Sequence, residues 1–154
     1  MNPQSNSNKG PIVVIEDDRD DQDILREVFT KLDYANEVLF FSDGQEALDF
    51  LTTTTKLPFL ILSDINMPKL NGFKLREKLK TDAALQLKCI PYLFFSTAAN
   101  QQTVIDAYSL SAQGFFVKQN SFVELEKTIK TIMDYWYRCA APNNFIVEDG
   151  TVCS

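Results

Sequence analysis

Phe59-Leu60-Ile61-Leu62-Ser63-Asp64-Ile65-Asn66-Met67-Pro68, closed by Asn71-Gly72, decides the fold. Four apolar residues, a small polar one and a carboxylate read as a buried parallel strand that delivers Asp64 to its carboxyl end. Pro68 and the Asn71-Gly72 pair stop the strand and force a loop. Asp64 therefore falls on an exposed rim, the edge where open α/β sheets carry their chemistry.

The chain repeats this pattern on both sides. Pro11-Ile12-Val13-Val14-Ile15 is a short strand ending in Glu16-Asp17-Asp18. Behind an acidic first turn (Asp20, Asp21, Asp23), Ile24, Leu25, Val28, Phe29 and Leu32 recur at helical spacing and face the sheet. Glu37 to Phe41 is a strand broken by Asp43-Gly44, Glu46 to Leu51 a short helix, and Thr52 to Thr55 a loop. After the central strand, Phe73 to Leu79 gives a basic amphipathic helix. Ile90 to Phe95 is a further strand carrying Ser96-Thr97-Ala98, Val104 to Leu110 is helical, and Gly114 to Val117 is the last strand, ending in Lys118. Phe122, Leu125, Ile129, Ile132, Met133 and Trp136 mark the final amphipathic helix. The order, βα five times over, predicts a five-stranded parallel sheet, doubly wound with helices on both faces. Residues 1–10, polar and rich in Asn and Ser, read as a disordered tail, 11–140 as the domain, and 141–154 as a second tail. In that second tail Phe145-Ile146-Val147 is apolar enough to dock.

Composition narrows the function. The chain has 154 residues, 45% of them hydrophobic, enough for one domain with a proper core. Its net charge of -6 argues against a nucleic-acid partner or an anionic membrane surface. The three cysteines, Cys89, Cys139 and Cys153, are widely spaced and suggest reduced thiols. No apolar run has the length of a membrane span and the start lacks an export signal, so a soluble, cytoplasmic protein is expected. The absence of histidine excludes a Ser-His-Asp triad and a zinc-histidine site.

Reading only the strand ends gives Glu16 and Asp17, then Asp64, then Ser96, then Lys118. At one rim of a parallel sheet these groups can converge. Clustered carboxylates repel, and ionising them together requires a cation. Oxygen donors suit Mg²⁺, or Mn²⁺ in its place. Asp17 and Asp64 are the expected direct ligands, the Asn66 backbone carbonyl a third, and Glu16 an outer ligand or one acting through water. Lys118 adds a fixed positive charge and Ser96 a hydroxyl. A dianion between metal, ammonium and hydroxyl is held on three sides, and a phosphoryl group beside a carboxylate can form an acyl phosphate. Taken singly, each residue has a plainer reading: the acids as helix caps, Ser96 as a cap, Lys118 as a solvated strand end. Their joint placement favours a site. Tyr108, Phe116 and the aromatic group around Trp136 read as core.

With those residues in hand, the chain resembles the receiver domain of bacterial two-component response regulators. The resemblance rests on Ile15-Glu16-Asp17, Asp64-Ile65-Asn66-Met67-Pro68 with Asn71-Gly72, Pro91 followed by Ser96, and Gly114-Phe115-Phe116-Val117-Lys118, and covers about residues 11–137. It implies a flavodoxin-like fold, Asp64 as phosphoacceptor, a Mg²⁺ requirement, and phosphoryl transfer from the phosphohistidine of a sensor histidine kinase or phosphotransfer protein. It also implies that Ser96 and Phe115 move on activation and that a partner-binding face built from the fourth helix, fifth strand and fifth helix changes shape. On this resemblance the chain is a single-domain phosphoacceptor with only self-directed transfer, not an enzyme acting on outside substrates. Asp134-Tyr135-Trp136 is similar to regulators paired with phytochrome-like kinases. The downstream partner is open, as is a homodimer through the aromatic end of the last helix.

Four positions depart from the family pattern. Gln119 follows the lysine where proline in a cis bond is usual. A cis bond before a non-proline residue costs about 2.5–4 kcal/mol, so a trans bond is expected. Ser96 stands where threonine is commoner, and Thr97 follows it where a smaller residue is usual, crowding the phosphoryl group. Ala98, two beyond Ser96, offers no polar group to position an attacking water and leaves only Asn66 to do so, which predicts a longer-lived acyl phosphate. Two other classes compete. A haloacid-dehalogenase-like phosphohydrolase needs an acid two residues after the nucleophile, where Asn66 stands. A flavodoxin-like FMN carrier needs a phosphate loop where Glu16-Asp17-Asp18 would repel anions.

Overall fold

The computed structural model describes residues 10–86, 89–97 and 99–140. Of the predicted tails, 1–10 and 141–154, all but Gly10 lie outside them, with Phe145-Ile146-Val147 and Cys153, as does Ala98; Gly10 is described, and its carbonyl accepts from the Asn36 amide at 2.7 Å. Five parallel strands form one sheet: β1 (Ile12–Ile15), β2 (Val38–Phe41), β3 (Leu60–Ser63), β4 (Tyr92–Ser96) and β5 (Gly114–Val117), in the order β2-β1-β3-β4-β5. The connecting helices are α1 (Arg19–Leu32), α2 (Gly44–Thr53), α3 (Gly72–Thr81), α4 (Gln101–Ser109) and α5 (Phe122–Arg138), with a further helical turn at Ala83–Gln86 after α3. The doubly wound sheet expected from the βα alternation is the one observed.

Strand position in the sheet explains strand composition. The inner strands β1, β3 and β4 are buried along their whole length, whereas every residue of β2 and most of β5, the two edges, are partly exposed. Successive side chains alternate between two cores. On one face Val13, Ile15, Ile61, Tyr92 and Phe94 pack with Leu51, Leu75, Leu79 and Ala107 of α2, α3 and α4. On the other, Ile12, Val14, Leu60, Leu62, Leu93 and Phe95 meet Leu25, Val28, Phe29, Leu125, Ile129, Ile132 and Met133 of α1 and α5.

Helix starts are set by local chemistry. Asp18, Asp43, Asn71, Asn100 and Ser121 each stand at an N-cap, where the side chain accepts from the backbone N–H three residues on. Asn100 opens α4 three residues before the apolar pattern begins at Val104. α2 likewise runs to Thr53 instead of yielding to a loop at Thr52. The hydroxyls of Thr52 and Thr53 donate to the carbonyls of Leu48 and Asp49, at 2.9 and 2.8 Å, and so continue the helix. Ile24, expected on the sheet-facing stripe, is 40% exposed, because that stripe is already filled by Leu25, Val28 and Phe29. Cys89 is half-buried with a left-handed φ of 48°, and Cys139 is half-buried at the C-cap of α5. No cis peptide bond occurs among the described residues, so Lys118–Gln119 is trans as expected.

Candidate phosphoryl-acceptor site

Parallel register lines up the strand ends. Ile15 stands opposite Ser63, and Ser96 opposite Val117, so the residues that follow β1, β3 and β5 reach the same rim. The Asp64 N–H donates to the Ile15 carbonyl at 3.0 Å, which anchors the acidic residue to β1 as the chain leaves the sheet. The Lys118 N–H donates to the Ser96 carbonyl at 3.1 Å and fixes the lysine in the same way.

The loop after Asp64 folds back tightly. The Gly72 N–H donates to the Ile65 carbonyl at 2.8 Å, and a Cβ at Gly72 would lie 2.1 Å from the Asp64 carbonyl oxygen. Only glycine permits that approach. Lys69 takes a left-handed φ of 64° in the turn, and the Asn71 side chain then caps α3 by accepting from the Lys74 N–H at 2.9 Å.

Of the sequence-predicted residues, Glu16, Asp17, Asp64 and Lys118 come together at the rim. Glu16, Asp17 and Asp64 each offer a carboxylate oxygen, all within 4.8 Å of one another. Glu16 is buried, Asp64 half-buried and Asp17 exposed, so the cluster opens to solvent on the Asp17 side. Lys118 lies against them: its ammonium donates to Glu16, and to Asp64 Oδ2 at 3.2 Å. The other Asp64 oxygen, Oδ1, accepts from the Ile65 N–H at 2.7 Å. Ser96 is buried at the end of β4. Asn66 is exposed in the loop, and Phe115 is half-buried on β5 with its ring 6.2 Å from Phe94.

Burial pushes the Glu16 carboxyl up to about 7, against the opposing pull of the Lys118 ammonium. Burial works against the charged lysine too, but bonds to Glu16 and Asp64 outweigh it and hold Lys118 above the ordinary lysine range. The all-oxygen donor set of Glu16, Asp17 and Asp64 fits a hard divalent cation, which would offset the charge that one lysine leaves.

One residue escaped the sequence reading. Asp21 Oδ2 is 3.3 Å from the Lys118 ammonium, making it a third carboxylate on that lysine. It reads in the sequence as one of several acids suited to a helix N-terminus. The available signal was its position: helical side chains lean toward the N-terminus, so an acid at the third residue of α1 reaches back over the end of β1.

Residues 12–130 match the family model of the response regulator receiver domain. Response regulator Rcp1 of Synechocystis sp. is 29% identical over 141 residues, covering 88% of this chain and 94% of that protein. Among solved structures, that of the phosphorylated cyanobacterial phytochrome response regulator RcpA is similar with a TM-score of 0.77 and 28% identity, covering 86% of this chain and 96% of its own. The Mn²⁺-bound form of Rcp1 gives a TM-score of 0.75 at 27% identity, with coverage of 86% and 97%. By its matched length, its five-stranded parallel sheet and the acids and lysine gathered at its rim, the chain belongs to the response regulator receiver domain family.

Proposed function

We propose that Asp64 accepts a phosphoryl group from the phosphohistidine of a sensor histidine kinase or phosphotransfer protein, and that this charge change switches a partner-binding face. The observation that carries the reading is the Lys118 ammonium lodged between Glu16 and Asp64, beside a carboxylate set that fits a divalent cation. Asp17, Asp64 and the Asn66 backbone carbonyl would hold the ion, with Glu16 in an outer role; the ion is Mg²⁺, with Mn²⁺ able to replace it. When bound, it neutralises charge on the phosphoryl oxygens.

The reaction is a displacement at phosphorus. An Asp64 carboxylate oxygen attacks, the P–N bond to the donor imidazole breaks, and an acyl phosphate forms. Lys118 stabilises the negative oxygens of the incoming group, and the Ile65 N–H orients the carboxylate through Oδ1. Ser96 supplies a hydroxyl to the phosphoryl group, and Phe115 relays its movement. The acceptor is this protein's own side chain, so the chain acts as a signalling module in the cytoplasm and turns over no outside substrate.

The face expected to respond carries exposed apolar side chains from three neighbouring elements: Ile105 on α4, Val117 on β5, Val123 on α5, and Tyr108 on α4, which is 53% exposed and not the core residue that its sequence suggests. Such a patch suits a downstream protein or a second copy of the chain. The kinship with a phytochrome response regulator supports a phytochrome-like kinase as donor.

Incubation with acetyl phosphate or phosphoramidate and Mg²⁺, followed by intact-mass measurement of the parent and Asp64→Ala, tests the reading. A gain of one phosphoryl group in the parent alone is expected. Hydrolysis of a small phosphate ester without phosphoprotein would instead favour a phosphohydrolase.

A further inference from the structure

The Lys118 ammonium has three carboxylate partners, and the one on α1 differs from the others. Glu16 and Asp64 are 3% and 13% exposed, whereas Asp21 is 42% exposed and makes the longest contact, at 3.3 Å. The backbone that carries Asp21 is nevertheless held in position. Its N–H donates to Asp18 Oδ1 at 3.0 Å, and on the same turn the Gln22 N–H donates to the Asp18 carbonyl at 3.0 Å while Gln22 Nε2 donates to the Glu16 carbonyl. This pins the first turn of α1 to the end of β1. Together with Lys118 and Thr97, Asp21 also lines a cavity of about 140 Å³ floored by Leu25, Phe95 and Leu125. Asp21 thus reaches the lysine from α1, and Asp64 reaches it from the end of β3.

We infer that Asp21 is a positioning residue for Lys118: it competes with Asp64 for the ammonium before phosphorylation and releases it to the phosphoryl oxygens afterwards. The inference rests on Asp64 being the phosphoacceptor. A dianion on Asp64 offers Lys118 more negative oxygens than the carboxylate it replaces, and the weakest, most solvated of the three existing contacts is the one to break. Before that, Asp21 both draws the ammonium off Asp64 and adds a negative charge that repels an incoming phosphodonor.

Two measurements on the parent, Asp21→Asn and Asp21→Glu test this. The first is lysine acetylation in EDTA-treated protein, mapped by peptide mass, with Lys31 of α1 as internal standard. The second is the rate of phosphorylation by phosphoramidate at saturating Mg²⁺. For Asp21→Asn, acetylation of Lys118 relative to Lys31 and the phosphorylation rate each rise about two- to five-fold, the range set by a partly exposed ion pair. Asp21→Glu returns both toward the parent. Unchanged Lys118 labelling, Lys118 and Lys31 accelerating together, or slower phosphorylation of Asp21→Asn overturns the inference. If Lys118 labelling responds while the parent takes up no phosphoryl group, the placement of the lysine by Asp21 stands and the phosphoacceptor reading fails.

Discussion

Replacing Lys118 with Met leaves Glu16, buried beneath the rim, without a cation and facing Asp64. Breaking one side of a buried pair typically costs about 3–5 kcal/mol; at this half-open rim, where Glu16 can take a proton, about 2–4 kcal/mol is expected at pH 8. The loss shrinks toward pH 5, where a protonated Glu16 no longer needs the ammonium. In the parent, a carboxyl raised from 4.5 to about 7 means that the folded state binds the proton more tightly. Its contribution to stability is therefore full below about 4.5 and is lost as pH rises through 7. Urea unfolding of both proteins at pH 5 and pH 8 checks this, and an equal loss at the two values contradicts it. Lys118 was legible in the sequence from its place after a strand. Its trio of partners was not, because Asp21 is one acid among several in a helical first turn and only the packing of α1 against β1 turns it toward the lysine.

At the scale of elements, Gly72 and Asp43 show how loops aim the site. A Cβ at Gly72 collides with the Asp64 carbonyl oxygen at 2.1 Å, backbone that cannot give way without moving Asp64 itself. Gly72→Ala is expected to cost about 2–4 kcal/mol, as backbone clashes at close approaches do. Any folded fraction should phosphorylate more slowly than the parent; thermal melts with intact-mass phosphorylation decide, and a parent-like Tm and rate would contradict the argument. Asp43, buried at the N-cap of α2, accepts from the Glu46 N–H at 2.8 Å and pairs with Lys69 at 3.6 Å. Asp43→Ala should therefore lose about 1–2 kcal/mol by urea unfolding, the upper range for a cap. The strands were legible because β-branched and aromatic runs bounded by Pro, Gly and acids leave little choice. The helix limits were less so, since caps such as Asn100 and threonine hydroxyls such as Thr53 extend a helix beyond its apolar stripe. The turn at Ala83–Gln86 has no stripe of its own and gave no periodic signal.

Across the whole molecule, the rim that carries the acids has a counterpart in phenols held in the packed body of the fold. Tyr92 is fully buried on β4 and donates to the Gly72 carbonyl at 3.1 Å, tying the sheet to the loop that shapes the site. Tyr137, on α5, donates to the Asn36 side chain, whose amide in turn donates to the Gly10 carbonyl at 2.7 Å. That relay fastens the last helix to the chain just before β1, and the Tyr137 ring lies 5.1 Å from Phe59 and 5.6 Å from Tyr34. Burial raises all three phenols: Tyr34 and Tyr92 above the ordinary value of 10, and Tyr137 up to about 12. A raised phenol favours the folded state fully below pH 10, and that contribution is lost as pH climbs, because the unfolded chain ionises first. Lys118, held above its usual range, acts with the same sign. Stability should thus decline between pH 10 and about 12, with the absorbance of Tyr92 and Tyr137 at the phenolate band appearing together with the loss of helical circular dichroism. Tyr137→Phe keeps the ring contacts while removing one ionisation, so it should weaken the alkaline decline although it costs a bond to Asn36 at neutral pH. A Tyr137 phenolate signal, read as the difference in absorbance between the parent and Tyr137→Phe, that rises near pH 10 with the helical signal intact would show that this hydroxyl is not held by the fold.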